Sequence, residues 1–219
     1  YITMNRDCPT NTRLHTNMDM VLTQVYNKLK RTKTSGKNAS YIPDLKKVNP
    51  NLFAISIFTV DGRSYNIGDT SHEFAIESAS KVFTLALALQ ERGVKQLAQL
   101  IGTQQTSTAF NSICAIEESA NHTINSFENG GAIATTSLLY DKNQKKFEKK
   151  IFDNMNRFAG RKLSYSYPIY RSEITHSDHN MAIAYLLKSY GRFYGDVASS
   201  LDVYTKQCSM LVTSQDCAV

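Results

Sequence analysis

The segment FAIESASKVFTLALAL, residues 74–89, places Ser78 three residues ahead of Lys81 at the head of an apolar helical pattern. A serine hydroxyl is a poor nucleophile until a base takes its proton, and a desolvated lysine amine can be neutral enough to be that base. A spacing of three puts both side chains on one helix face, within reach of each other. The unpaired N–H groups at a helix start, that of Ser78 included, can also face the negative oxygen of a tetrahedral intermediate. The chemistry suggested is acyl transfer through a serine ester. The same string, taken alone, reads more readily as an N-capping serine followed by a solvated lysine. Its surroundings have to decide.

A second constellation is His176 and His179, three apart with Asp178 between them. Two histidines without a placed third ligand do not define a metal centre, so no metal is expected, nor any cofactor. Phosphate-cradling glycine-rich loops are missing. The four cysteines, Cys8, Cys114, Cys208 and Cys217, are scattered and form neither a CxxC pair nor a spaced framework, as expected of thiols in a reducing compartment.

Further motifs accompany the Ser-x-x-Lys string. They are YIPDLKKVNP at residues 41–50, NSFENGGAIATTSLL at 125–139, YRSEITHSDHNMAIAYLLKSYG at 170–191 and LDVYTKQCS at 201–209. Together and in this order they resemble the serine-dependent glutaminases, a family related to the β-lactamases. The likeness runs from about residue 41 to residue 218.

Carried over motif by motif, the resemblance implies Ser78 as nucleophile, Lys81 as its activating partner and Tyr204 near the reacting end. Tyr41, Ser78, Asn129, Glu173, Asn180 and Tyr204 would line the substrate pocket. An amino-acid amide presents an ammonium, a carboxylate and a side-chain amide, each needing a polar partner once water is excluded. Glu173 is the natural acceptor for the ammonium. Asn129, Asn180 and Tyr41 can donate to the carboxylate or amide. Two positions depart from the family pattern: Gly130 stands where alanine is usual, and the loop at 106–109 lacks a Pro-Thr-Gly style turn.

These residues need elements to hold them. Residues 19–30 put Val21, Leu22, Val25, Tyr26 and Leu29 on one side of a helix, and the polar stretch 31–40 breaks it. The β-branched run 52–60, the Asp61-Gly62 turn and residues 64–68 read as a hairpin. Residues 74–93 read as one long helix closed by Gly93. Shorter helical patterns follow at 94–101 and 133–139. Phe147, Ile151, Met155 and Phe158 mark another ending at Gly160, and 178–189 a further one. A lone hairpin is only marginally stable, so more strands are expected, yet the last 150 residues offer few.

A chain of 219 residues that is 42% hydrophobic can bury one sizeable core. The net charge of +6 is concentrated at Lys28, Lys30, Arg31 and Lys33 and at Lys142, Lys145, Lys146, Lys149 and Lys150. Without interleaved aromatics or a nucleic-acid module, these clusters read as solvated faces rather than a nucleic-acid site. No apolar run approaches a bilayer span, and no leader pattern opens the sequence, so a cytoplasmic protein off the membrane is expected.

The fold expected from the resemblance is α+β and β-lactamase/transpeptidase-like: an antiparallel sheet flanked by helices beside a helical lobe. Residues 1–40 would form a helix and polar linker, and 41–219 a catalytic domain whose sheet is incomplete, because family members continue past the position of Val219. The reaction implied is hydrolysis of L-glutamine to L-glutamate and ammonia, in a homo-oligomer, dimer or tetramer. Two other readings stand beside it. One is an Ser-x-x-Lys acyl hydrolase of the β-lactamase kind, although no K-T-G strand or S-x-N loop is visible. The other is a non-catalytic, truncated relative.

Overall fold

The computed structural model describes residues 12–32, 35–40 and 42–219, with helical side chains described from Asn17 onward. Helix α1 (Thr12–Lys30) and the short α2 (Pro43–Lys46) precede the hairpin β1 (Ala54–Phe58) and β2 (Ser64–Gly68). Strand β3 (Phe74–Ala75) then leads through a 3₁₀ turn, Glu77–Ser80, into α3 (Lys81–Arg92). Next come α4 (Val94–Ile101), α5 (Ile113–Glu118), α6 (Asn129–Leu138), α7 (Gln144–Ala159), α8 (Tyr167–Thr175), α9 (Asp178–Ser189) and α10 (Val197–Cys208). Strand β4 (Leu211–Val212) and α11 (Ser214–Ala218) complete the described chain.

The architecture is a mixture of helices with two small antiparallel strand pairs. In the hairpin, Ala54 faces Gly68 and Phe58 faces Ser64. Its connection is closed by Gly62 N–H donating to Thr59 O at 2.9 Å, with Gly62 at φ +83°, a left-handed conformation that glycine adopts without steric cost. Helix α1 packs on this hairpin, with the Tyr26 ring stacked on Phe53 at 5.1 Å. Of the five apolar positions expected on one face of α1, only Leu22 and Tyr26, one helical turn apart, are buried. Val21, Val25 and Leu29 are exposed, because the hairpin covers a stripe only one residue wide.

Helix α6 is the centre of the molecule. Every residue from Asn129 to Leu138 is buried, and α3, α9 and α10 pack around it. Ile133, Leu139, Phe147, Ile151, Ile183, Leu187 and Leu201 are almost completely shielded in the surrounding core. At about 25 cal/mol per Å² of apolar surface removed from water, each such side chain contributes about 1.5–3 kcal/mol before chain entropy is subtracted. A smaller cluster of Ile76, Met155, Leu163, Met210 and Val212 sits under the second strand pair.

The long helix expected over 74–93 is not formed as one element. Phe74 and Ala75 instead pair with Val212 and Leu211, and Ile76 N–H donates to Met210 O at 2.9 Å. Glu77 then takes φ +51°, which cannot continue a right-handed helix, and α3 begins only at Lys81. The 94–101 and 178–189 helices match α4 and α9, and α7 ends at Gly160 in a left-handed cap, φ +64°. Along α7, Phe147, Ile151 and Met155 are buried, whereas Phe158 is exposed.

Candidate functional site

The turn that carries Ser78 is held from both sides. The β3–β4 pairing fixes the chain before it, and α10 fixes the chain after it. Thr84 Oγ1 donates to Gln207 Oε1 at 2.7 Å, and Ser80 Oγ lies 3.7 Å from Cys208 Sγ. Ser78 lies on the 3₁₀ turn and Lys81 is the first residue of α3, so the two do not share an α-helix. Ser78 is exposed, and Lys81 is 4% exposed.

Nζ of Lys81 donates to Asn129 Oδ1 at 2.7 Å and to the Phe127 carbonyl at 3.0 Å. Among the described residues no hydrogen bond joins it to Ser78, contrary to the reach expected from their spacing. Burial pushes the Lys81 ammonium below the ordinary lysine range, against the opposing pull of Cys208 and Glu128. The Phe110 ring lies 5.9 Å from Nζ.

Both acceptors of Lys81 are positioned by α6 and the turn before it. Asn125 Oδ1 accepts from Phe127 N–H at 2.8 Å and Glu128 N–H at 3.1 Å, which aims the Phe127 carbonyl. Asn129 opens α6, with its N–H donating to Phe110 O at 2.8 Å and its Nδ2 to Asn180 Oδ1 at 3.1 Å. Lys81, Asn129 and Asn180 therefore form one hydrogen-bonded chain. Gly131 packs so closely on the Asn125 turn that a Cβ there would sit 1.8 Å from Asn125 O. At Gly130 a Cβ would meet Ile116 Cδ1 at 2.8 Å, so this chain fills with Ile116 the room an alanine would need.

Ser78, Glu173 and Tyr204 meet on a cleft of about 240 Å³, together with Ile42, Glu77, His176 and Cys208. The Glu77 and Glu173 carboxyls share this cleft and act on each other electrostatically, and burial raises both above the ordinary carboxylate range, Glu77 to about 9. Burial also holds the Tyr204 phenol well above its usual value and the Cys208 thiol up at about 12, so both are neutral hydrogen-bonding groups near pH 7. Tyr41 lies outside the described residues. The sequence did not single out Glu77, Cys208 or the Phe127 carbonyl. A carboxylate at left-handed φ and a backbone acceptor leave no trace in residue type.

His176 and His179 turn to backbone carbonyls, Nδ1 of His176 at 2.7 Å from Ser172 O and Nε2 of His179 at 2.6 Å from Asn111 O. Among the described residues no group of three or more His, Cys, Asp or Glu is arranged to hold a metal ion. The basic residues of α7 lie on a solvated face, where Lys149 pairs with Asp153 and Lys150 with Glu91. No helix of the described residues is long and apolar enough to cross a membrane. A larger cavity of about 500 Å³ lies between α3, α4 and the 102–106 and 125–128 segments. Glu128 is its only acidic residue; Ser78, Glu173 and Tyr204 line the smaller cleft instead, whereas Lys81, Asn129 and Asn180 line neither.

Comparison with known proteins gives the family of the chain. Residues 36–219 match the family model described as Glutaminase. A curated Glutaminase from Colwellia psychrerythraea is 47% identical over 199 residues, which are 91% of this chain and 64% of that protein. One from Mycobacterium marinum is 43% identical over 189 residues, 86% of this chain and 59% of that protein. The chain thus spans about 60% of the length of these curated relatives. Among solved structures, the probable glutaminase ybaS superposes with a TM-score of 0.87 at 39% identity, covering 90% of this chain and 64% of that one. Mglu in its native form gives 0.83 at 33% identity, covering 91% and 48%. With the family model covering most of its length and these relatives aligned over nearly all of it, the chain belongs to the glutaminase family.

Proposed function

We propose that the protein containing this chain hydrolyses L-glutamine to L-glutamate and ammonia through a γ-glutamyl ester on Ser78, with Lys81 as the base. The observation that carries the reading is the bonding of Lys81. A neutral amine has two N–H donors and one lone pair. Two acceptors, Asn129 Oδ1 and Phe127 O, occupy the donors of the buried Nζ. The lone pair is left for the Ser78 proton.

In this scheme Ser78 Oγ attacks the side-chain amide carbon while Lys81 takes its proton, and the oxyanion meets the Ser78 N–H. Collapse of the intermediate passes that proton from Lys81 to the departing nitrogen, which leaves as ammonia. Water then attacks the ester, gives its proton to Lys81, and releases glutamate as Ser78 is restored. Glu173 accepts the substrate's α-ammonium, Tyr204 donates as a neutral phenol, and Asn129, Asn180 and Tyr41 complete the pocket. The scheme needs no cofactor. In keeping with the family resemblance, the reading extends to a β-lactamase-like fold with residues 41–219 in the catalytic domain, and to a cytoplasmic homo-oligomer. Ammonia release from glutamine by the natural full-length protein tests it, with Ser78→Ala as control. Turnover by that variant above a few per cent of wild type would remove Ser78 from the role.

A further inference from the structure

Glu77 is held where few residues other than glycine settle. Its φ of +51° falls in the left-handed region, between the β3–β4 pairing and the 3₁₀ turn that carries Ser78. From there its side chain lines the same cleft as Ser78 and Glu173. Oε1 of Glu77 is fully buried, and no donor among the described residues reaches it. The charged group that acts on the Glu77 carboxyl is the Glu173 carboxyl, on the same cleft. Two carboxylates acting on each other away from water cannot both be charged, so the pair keeps one proton, which can bridge them.

The groups around the pair do not neutralise it in another way. From α10 come Tyr204 and Cys208, both kept neutral by burial. His176, at the end of α8, has Nδ1 against Ser172 O. Lys81, at the start of α3, is engaged with Asn129 and Phe127. Ile42 brings no charge. Among the described residues neither carboxyl forms an ion pair.

We propose that Glu77 is a positioning residue that holds the single proton of a carboxyl pair with Glu173, so that the subsite for the substrate's α-ammonium carries one negative charge and is aimed by the Glu77 hydrogen bond. This rests on the reading of the cleft as a glutamine site. It assigns a task to the strained backbone at Glu77: the turn that exposes Ser78 also delivers the proton donor that fixes Glu173. One negative charge matches one ammonium. A doubly charged pair would spread apart, and a lone buried Glu173 would tend to take up the proton itself.

The test uses the natural full-length protein labelled with [δ-¹³C]glutamate, its carboxyl resonances followed by NMR against pH, in wild type, E77Q and E77L. Wild type should show two linked titrations, one well above neutral. E77Q should delete the upper step and leave Glu173 titrating within about one pH unit of its wild-type position, since an amide N–H can replace the acid proton as donor. E77L should move the Glu173 titration upward by more than about one unit. In turnover at neutral pH, E77L should raise KM for glutamine more than about tenfold with kcat changed far less, and E77Q should recover most of that loss. Absence of any carboxyl titrating above pH 7 in wild type overturns the proposal, whether or not E77L folds. Equal KM defects in E77Q and E77L overturn it as well. The linked titration without glutamine turnover would support the carboxyl pair and reject the substrate reading, which separates the two failures.

Discussion

Asn129→Asp is the substitution that tests the proposed state of Lys81 most severely. It preserves shape and replaces the neutral oxygen 2.7 Å from Nζ by a charged one, while the lost donor to Asn180 Oδ1 can be met by a turn of the Asn180 amide that presents its Nδ2. With an effective dielectric of about 20, a full charge at that distance favours the ammonium by about 6 kcal/mol. Relaxation and the dipole already supplied by asparagine reduce the difference to about 3 kcal/mol, or about two pKa units. The free amine at a given pH should then fall about 100-fold. The new carboxylate stands at the first residue of α6, where the helix dipole favours negative charge, so the fold should tolerate it. Because the base acts when deprotonated, activity rises with pH through the Lys81 titration. A raised pKa therefore shifts that rise to higher pH. The assay is kcat/KM for glutamine against pH in the full-length protein, with a thermal melt as control. The expectation is a loss of about 30- to 300-fold at pH 7, with the rise displaced by about two units. A folded variant within threefold of wild type and with an unmoved profile would refute a neutral Lys81 as base.

Glu173→Gln should raise KM for glutamine sharply with a smaller change in kcat, and N-acetylglutamine should be a poor substrate of the unmodified enzyme; equal turnover of the acetylated compound would count against an ammonium subsite. Gly131→Ala forces a Cβ to 1.8 Å from the Asn125 carbonyl, a backbone atom that cannot step aside, and should cost about 3 kcal/mol in a thermal or urea melt. Gly130→Ala, which meets only the end of Ile116, should cost about 1 kcal/mol, and a reversed order would show that the Asn125 turn is not rigid. Burial alone would raise the Asp216 carboxyl, but the Arg161 guanidinium and the Thr213 donors overcome this and hold it below its ordinary value. A depressed carboxyl stabilises the fold above its unfolded pKa and loses that contribution as pH falls through the folded one. The melting gap between wild type and Asp216→Asn should therefore be full at neutral pH and shrink as pH falls below the ordinary aspartate value of about 4; a gap independent of pH would contradict the Arg161 pairing.

How far the sequence could be read depended on how each element is buried. The hairpin, α4, α7 and α9 each present one covered face, and period alone locates them. Helices α6 and α10 are enclosed on most sides, so they show no stripe; α6 was recognised only in its last two turns, and α10 appeared only as a family motif. Strands β3 and β4 are two residues each and lie far apart in the chain, beyond any local pattern. Phe74, Ala75 and Ile76 extended the apolar period of α3 backwards and concealed the break at Glu77. Ser78, Lys81, Asn129 and Glu173 were singled out only through the joint order of their motifs. The Lys81–Asn129–Asn180 chain and the Glu77–Glu173 pair were not, because both depend on where α6, α8 and α10 bring residues together.

The central claim is that Ser78 is the group acylated by a glutamine side chain. It is tested most directly by treating the full-length protein with a glutamine analogue bearing an electrophile in place of the γ-amide, followed by intact-mass measurement and peptide mapping. The account predicts one adduct per chain on the peptide containing Ser78, slowed by excess glutamine and lost in Ser78→Ala. An adduct on Cys114, Cys208 or another residue, or labelling that persists in Ser78→Ala, would contradict it.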